Sequence, residues 1–118
     1  MANVDLITAL DNETEIELET IGRISQRPNT RPVWFVRHDD ALFLLPITGA
    51  ASNWYRNVVQ TPRIHISVGE AEHDTDATLI TDPEQVRRVV DDFTEKYGAS
   101  RVARSYPNPE VAVRVELS

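Results

Sequence analysis

The 118-residue sequence predicts a mainly β protein: six antiparallel strands closed into a small barrel, with two or three short helices inserted. Three observations predict it. Strand-length apolar or alternating runs recur along the chain. Most are joined by connections too short for a parallel crossover, so neighbours should pair antiparallel. Six such strands with apolar inner faces lose their unpaired edges by closing on themselves. An open α+β arrangement is the competing architecture. No repeat, low-complexity tract or linker-like stretch interrupts the chain, so one domain over residues 1–118 is expected.

Taken in order, Val4 to Leu10 is expected to form a short helix. From Thr14 to Thr20, Glu15, Glu17 and Glu19 alternate with Ile16 and Leu18, which is the period of a strand with one wet face. Residues 22–30 (GRISQRPNT) read as a loop because of their Gly, Pro, Asn and Ser. Arg31 to His38 and Ala41 to Ile47 are apolar runs around Asp39-Asp40 and read as a hairpin. Its register sets Val36 opposite Phe43 and Trp34 opposite Leu45. Val33, Phe35 and Leu44 then point the other way. Both faces are apolar, so both need cover: one by the barrel interior, the other by a helix, a ligand or a second subunit.

Ser52 to Gln60 suits a helix, with Ser52 as N-cap, Trp54/Val58 and Tyr55/Val59 as i, i+4 pairs, and Pro62 beyond its end. Arg63 to Val68 and Ala71 to Leu79 form a second hairpin about Gly69-Glu70. Ile64, Ile66 and Val68 share a face with Ala71, His73 and Thr75, while Glu70, Glu72, Asp74 and Asp76 line the other side. Asp82 to Tyr97 carries the strongest helix signals: Asp82 as N-cap, Pro83 in the first turn, Gln85 in the capping-box position, and Gly98 as the stop. Its apolar stripe is Val86, Val89, Val90, Phe93 and Tyr97. Val111, Val113, Val115 and Leu117 alternate through a last strand.

Composition removes several kinds of chemistry. There are no cysteines, hence no disulfides, thiolate metal sites or cysteine nucleophiles. Net charge is −7 and pI about 4.8, opposite to the basic face of a duplex nucleic-acid binder. No run approaches the roughly 18 apolar residues that span a bilayer. Met1 to Leu10 lacks the basic start and long apolar centre of a signal peptide, so a cytoplasmic protein is expected. His38, His65 and His73 lack helical ligand spacing, so no metal site is assigned. His65 falls opposite Asp74 as a surface cross-strand pair. Neither a phosphate-loop nor a dinucleotide fingerprint is present, and there is no GxSxG elbow.

One constellation remains. A strand end followed by Thr48-Gly49-Ala50-Ala51-Ser52 and a helix start offers backbone N–H groups, hydroxyls and a positive helix end. That combination suits a phosphate or another anion, and Arg23, Arg27, Arg31 and Arg56 are candidates to neutralise it. Eleven of the twelve Lys and Arg residues are arginines, whose planar fork suits phosphate and carboxylate. The same residues could serve packing alone, Ser52 capping and Trp54 filling space.

At these residues the sequence resembles the deazaflavin-dependent nitroreductase family. The stretch from Thr20 to Val36 (TIGRISQRPNTRPVWFV) is similar to that family's T-x-G-R-x-S-G-x-x-R-x-x-P-x-W-F-V, with Gln26 where glycine is common. Trp54 to Pro62 (WYRNVVQTP) is similar to its W-Y-x-N-L-x-x-N-P. The resemblance spans about Thr14 to Leu117. It implies a split β-barrel of the FMN-binding, pyridoxamine-phosphate-oxidase-like type, often homodimeric. It also implies use of a reduced deazaflavin coenzyme (F420 type) to deliver hydride to quinones, nitroaromatics or other unsaturated substrates. FMN is the alternative cofactor. The FMN branch carries a phosphate-binding lysine where this chain has Trp54, which favours deazaflavin.

The cofactor-binding residues expected from constellation and resemblance together are Arg31, Pro32, Val33, Trp34, Pro46, Thr48, Gly49, Ser52, Asn53, Trp54, Arg56 and Asn57. The anionic tail is expected near Thr48, Ser52 and Asn53, balanced by Arg31 and Arg56, with Trp34 and Trp54 as apolar walls. The loop after Gly49 is short and lacks the family's phosphate-binding lysine and second glycine. No catalytic residue is assigned; Tyr106 or water could supply a proton. The reading leans to an enzyme. Its alternatives are a ligand-binding barrel without turnover and a structural dimer.

Overall fold

The structure, a computed structural model, describes residues 4–107 and 109–117. Helix α1 is Val4–Asp11. It leads into β1 (Ile16–Ile21), β2 (Pro28–Val33), β3 (Val36–His38) and β4 (Ala41–Leu44). A single 3-10 turn, Gly49–Ala51, precedes α2 (Asn53–Gln60). Then come β5 (Arg63–Val68), β6 (Ala71–Ile80), α3 (Pro83–Tyr97), α4 (Ala99–Ser105) and β7 (Ala112–Glu116).

All seven strands form one antiparallel sheet in the order β2-β1-β5-β6-β7-β4-β3. Two features make it curl. Strand β6 serves two neighbours in turn: residues 71–76 pair with β5 and 77–80 with β7. The two edge strands, β2 and β3, are separated in the chain by only Trp34 and Phe35. Val33 and Val36 are three steps apart, at most ~11 Å, so these ends of the two edges must approach each other. The chain itself bridges the gap that a ladder would close in a complete barrel, giving a split barrel.

The curled antiparallel architecture agrees with the sequence, with seven strands in place of six. The difference arises at Arg31–His38, expected as one strand and found as the ends of β2 and β3 on opposite edges. The expected Trp34–Leu45 pair is absent, since the β3–β4 ladder runs only from Val36/Phe43 to His38/Ala41. Part of the expected loop 22–30 is also strand. Residues 22–27 turn tightly, with Gly22 N donating to Arg27 O at 2.8 Å, and Ile21 pairs with Pro28 directly beyond. Prolines at 28 and 32 are tolerated there because β2 is an edge strand, whose outer N–H groups are not needed. Helix α4 was not anticipated; it is seven residues long and buries only Val102.

The two-sided hairpin is covered on both faces. Phe35, Leu42 and Leu44 join Ile16, Leu18, Ile66, Val113 and Val115 inside the barrel, with Leu6 and Leu10 of α1 and Trp54, Tyr55 and Val58 of α2. Val36 and Leu45, with Trp34 and Phe43 packed alongside, face Val86, Val89, Phe93 and Tyr97 of α3. A helix therefore covers the outer face. Asp82 caps α3 by accepting from Gln85 N at 3.1 Å, and Gly98 ends it at φ 96°. Among the described residues, no helix is long and apolar enough to cross a membrane.

Candidate active site

The Trp34–Phe35 crossover has to pass between two packed clusters, so its side chains are sorted by side. Phe35 goes inward and is 1% exposed. Trp34 goes outward, half-buried, and stacks on Tyr97 with ring centroids 4.3 Å apart and planes 10° apart. Beside it opens a cleft of about 490 Å³. One wall is Arg31 to Trp34, another is Thr48, Ser52, Asn53 and Trp54, and Glu15, Leu45, Ile47, Ser105 and Tyr106 complete it. A smaller cleft of about 280 Å³ continues from it past Arg31, Asn53 and Trp54 towards Thr20 and the 22–25 turn.

The corner at Thr48–Ser52 is less open than its sequence implies. Gly49 N donates to Pro46 O at 3.2 Å, Ala51 N to Thr48 O at 3.3 Å and Ser52 N to Gly49 O at 3.0 Å. Ala50 N is taken by the Glu110 carboxylate at 2.9 Å. Gly49 has φ +62°, a backbone conformation that favours glycine, and a Cβ there would lie 2.6 Å from Glu110 Oε1 and displace that carboxylate. Ser52 makes no side-chain cap bond. The unmatched donors lie one turn further on: among the described residues, no acceptor meets the amides of Asn53, Trp54 and Tyr55. The unmatched amides therefore lie at the N-terminal end of α2, where Asn53 and Trp54 line both clefts, rather than in the turn before it.

The arginines divide in the same way. Arg23 is committed to α2, donating to Asn53 O at 3.3 Å and to Asn57 Oδ1 at 2.9 Å. Arg31 is exposed, lines both clefts and has no ion-pair partner among the described residues. Arg56 is exposed on α2 but lines neither cleft. Asn57, 6% exposed, accepts from Arg23 and donates Nδ2 to Thr20 Oγ1 at 3.2 Å, tying α2 to β1. Thus Arg31, Pro32, Val33, Trp34, Thr48, Ser52, Asn53 and Trp54 meet at the main cleft. Asn57 reaches only the smaller one, and Pro46, Gly49 and Arg56 reach neither. Pro46 and Gly49 are buried and shape the corner from behind.

Glu15, Leu45, Ile47 and Ser105 line the cleft without having been singled out. They come from a strand approach, a strand exit and the unanticipated α4, and carry no motif. Tyr106, at the end of α4, is 5% exposed and sits edge-on to Trp34 at 6.1 Å. Among the described residues its hydroxyl has no hydrogen-bond partner, and none of their fully buried side-chain polar atoms is unpartnered, so this hydroxyl reaches the cleft. Burial raises its pKa above the ordinary tyrosine value, keeping it protonated at neutral pH. Among the described residues, no group of three or more His, Cys, Asp or Glu could hold a metal ion.

Known proteins share this architecture. The conserved hypothetical protein Rv2991 from Mycobacterium tuberculosis superposes with a TM-score of 0.77 at 22% identity, over 99% of this chain and 81% of its own. An F420-H2 dependent reductase, FDR-A, gives 0.69 at 17% identity, over 88% of this chain and 95% of its own. A Listeria innocua protein provisionally named a pyridoxamine 5'-phosphate oxidase gives 0.71 at 15% identity, over 97% and 92%. At these identities the likeness is one of fold. None of the curated proteins compared with the chain matches it in sequence. The sequence profile of the F420H(2)-dependent quinone reductases, by contrast, matches residues 2–118, nearly the whole chain. With a split barrel and an aromatic-walled cleft in place, the chain belongs to the F420H(2)-dependent quinone reductase family, deazaflavin-dependent oxidoreductases.

Proposed function

We propose that the cleft between Trp34 and Trp54 holds the ring system of a reduced deazaflavin coenzyme beside a small quinone. The bound coenzyme supplies the hydride; the chain supplies placement, water exclusion and a proton. Trp34, backed by Tyr97, is one apolar wall and Trp54 the other. The amides of Asn53, Trp54 and Tyr55, with the Arg31 guanidinium, receive the anionic tail. The Tyr106 hydroxyl holds a proton at the cleft for an acceptor oxygen. The single observation that carries this reading is an open cleft lined by Trp34, Trp54, the unpaired Arg31 and Asn53, the first residue of a helix whose leading amides are unmatched. The residues present therefore fit the coenzyme, with its tail one helical turn beyond Thr48–Ser52.

Glu110 seated on Ala50 N favours one rival, a barrel that binds the coenzyme weakly and without turnover. Homodimerisation and a cytoplasmic location belong to the proposal; Ile24 and Ile47, 89% and 58% exposed, are surface a second subunit would cover.

Fluorescence titration of the purified protein with F420 should saturate, and titration with FMN should not. Menadione or a nitroaromatic should then oxidise F420H2 catalytically. Saturable binding without oxidation supports the rival, and binding of neither flavin removes both. Light scattering tests the dimer.

A further inference from the structure

Tyr97 is nearly buried at 8% exposure, and its hydroxyl joins three parts of the chain. The oxygen accepts from Phe35 N at 3.1 Å, and its single proton points to Thr14 O at 2.7 Å or Phe35 O at 2.9 Å, which share it. The neighbours of those two partners, Glu15 and Trp34, both line the main cleft. The Tyr97 ring meanwhile stacks behind Trp34. Lys96, the chain's only lysine, adds a second donor to Phe35 O at 2.9 Å, with Nζ 3.6 Å above the Phe35 ring. Trp34 and Phe35 belong to no strand and have no ladder to hold them. Their position is set by these contacts from the last turn of α3.

We propose that Tyr97 is a positioning residue: by tying the peptides beside Glu15 and Trp34 to one hydroxyl, it fixes the width of the cleft and so selects the quinones admitted. The proposal rests on the quinone-reductase reading of the same cleft. A fixed aromatic wall in a cleft that Glu15 also lines admits flat rings. Burial pushes the Tyr97 pKa up to about 12, so the hydroxyl donates throughout the working pH range.

Tyr97→Phe keeps the stacked ring and removes the hydroxyl. The expected result is a roughly tenfold rise in KM and Kd for menadione, of the order that misplaced contacts produce, with kcat within about twofold. Discrimination between one-ring and two-ring quinones should narrow in parallel. Val89→Ala, in the same packing cluster but off the cleft, controls for stability and should leave KM and the ratio unchanged. Kd is read independently of turnover, by quenching of tryptophan emission. A protein that binds quinone but never oxidises F420H2 sinks the reductase reading while still testing Tyr97. Folded Tyr97→Phe with unaltered Kd and unaltered quinone preference overturns the proposal. Should that variant not fold, Trp34→Phe, which shrinks the stacked face, must change the same preference or the proposal falls.

Discussion

The β5–β6 hairpin and the stretch from Pro28 to Ile47 use comparable material, apolar residues interleaved with charged ones, and arrive at opposite electrostatic conditions. On the outer face of β5–β6 every basic side chain is matched. His65 sits between Asp74, 2.7 Å from Nδ1, and Glu72, 3.1 Å from Nε2, while Arg63 meets Asp76 at 3.6 Å. In the other stretch Arg31 has no ion-pair partner among the described residues, Trp34 is half-exposed, and the chain leaves one sheet edge to join the other. The hairpin satisfies itself with neighbours three to thirteen positions away. The crossover is satisfied by α3, about 62 residues later, and where that help ends a cleft remains. The difference teaches that long-range packing leaves groups unmatched beside the crossover, where binding is proposed, while local pairing completes them on the hairpin.

Three substitutions bear on that contrast. Arg31→Ala removes the unmatched cation. Loss of a charge-assisted contact should weaken F420 binding about tenfold, the difference shrinking as salt rises. Isothermal titration at two ionic strengths reads both effects, and unchanged affinity would mean the tail lies elsewhere. Glu110→Gln keeps an acceptor for Ala50 N while removing a negative charge from the approach to α2. That charge already reaches Tyr55, whose pKa is raised by burial first and by Glu110 second. Affinity for the anionic coenzyme should improve about threefold, as expected of one charge screened by nearby water. Weaker binding would show that Glu110 is needed to shape the site rather than guarding it.

The smallest effect lies on the matched side. The Asp74 hydrogen bond, seconded by Glu72, raises the His65 pKa above 6.5, while His65 holds Asp74 below 3.8. The stabilisation from His65 is fully present below pH 6.5 and is lost as pH rises through the raised value. Seen from Asp74, the same pair is lost as pH falls from 3.8 through its lowered value. Urea unfolding from pH 5.5 to 8 should therefore show a stability decline on the alkaline side that His65→Gln abolishes. Coenzyme binding should ignore the substitution. If it does not, the two regions are coupled and the contrast fails.

Legibility followed the same division. The register of β5–β6, including His65 opposite Asp74, could be read in full because a Gly69 turn at φ +58° and two alternating patterns fix each other locally. The caps of α3 were equally plain. Most of the cleft's walls were legible through the two motifs around Trp34 and Trp54. Glu15, Leu45, Ile47 and Ser105 were not, because a residue that merely borders a gap has no pattern of its own.

By itself the sequence determined a mainly β chain, three of its four α-helices, the two-sided character of residues 31–47, and a family whose motifs run through the site. Local propensity and period-two alternation suffice for those. Only the tertiary structure decided that Arg31–His38 is divided between opposite edges, that Glu110 closes the Thr48–Ser52 turn, and that the free amides are those of Asn53 to Tyr55. Each depends on where distant segments come to rest, and a break between Val33 and Val36 looks, in sequence, like one continuous strand.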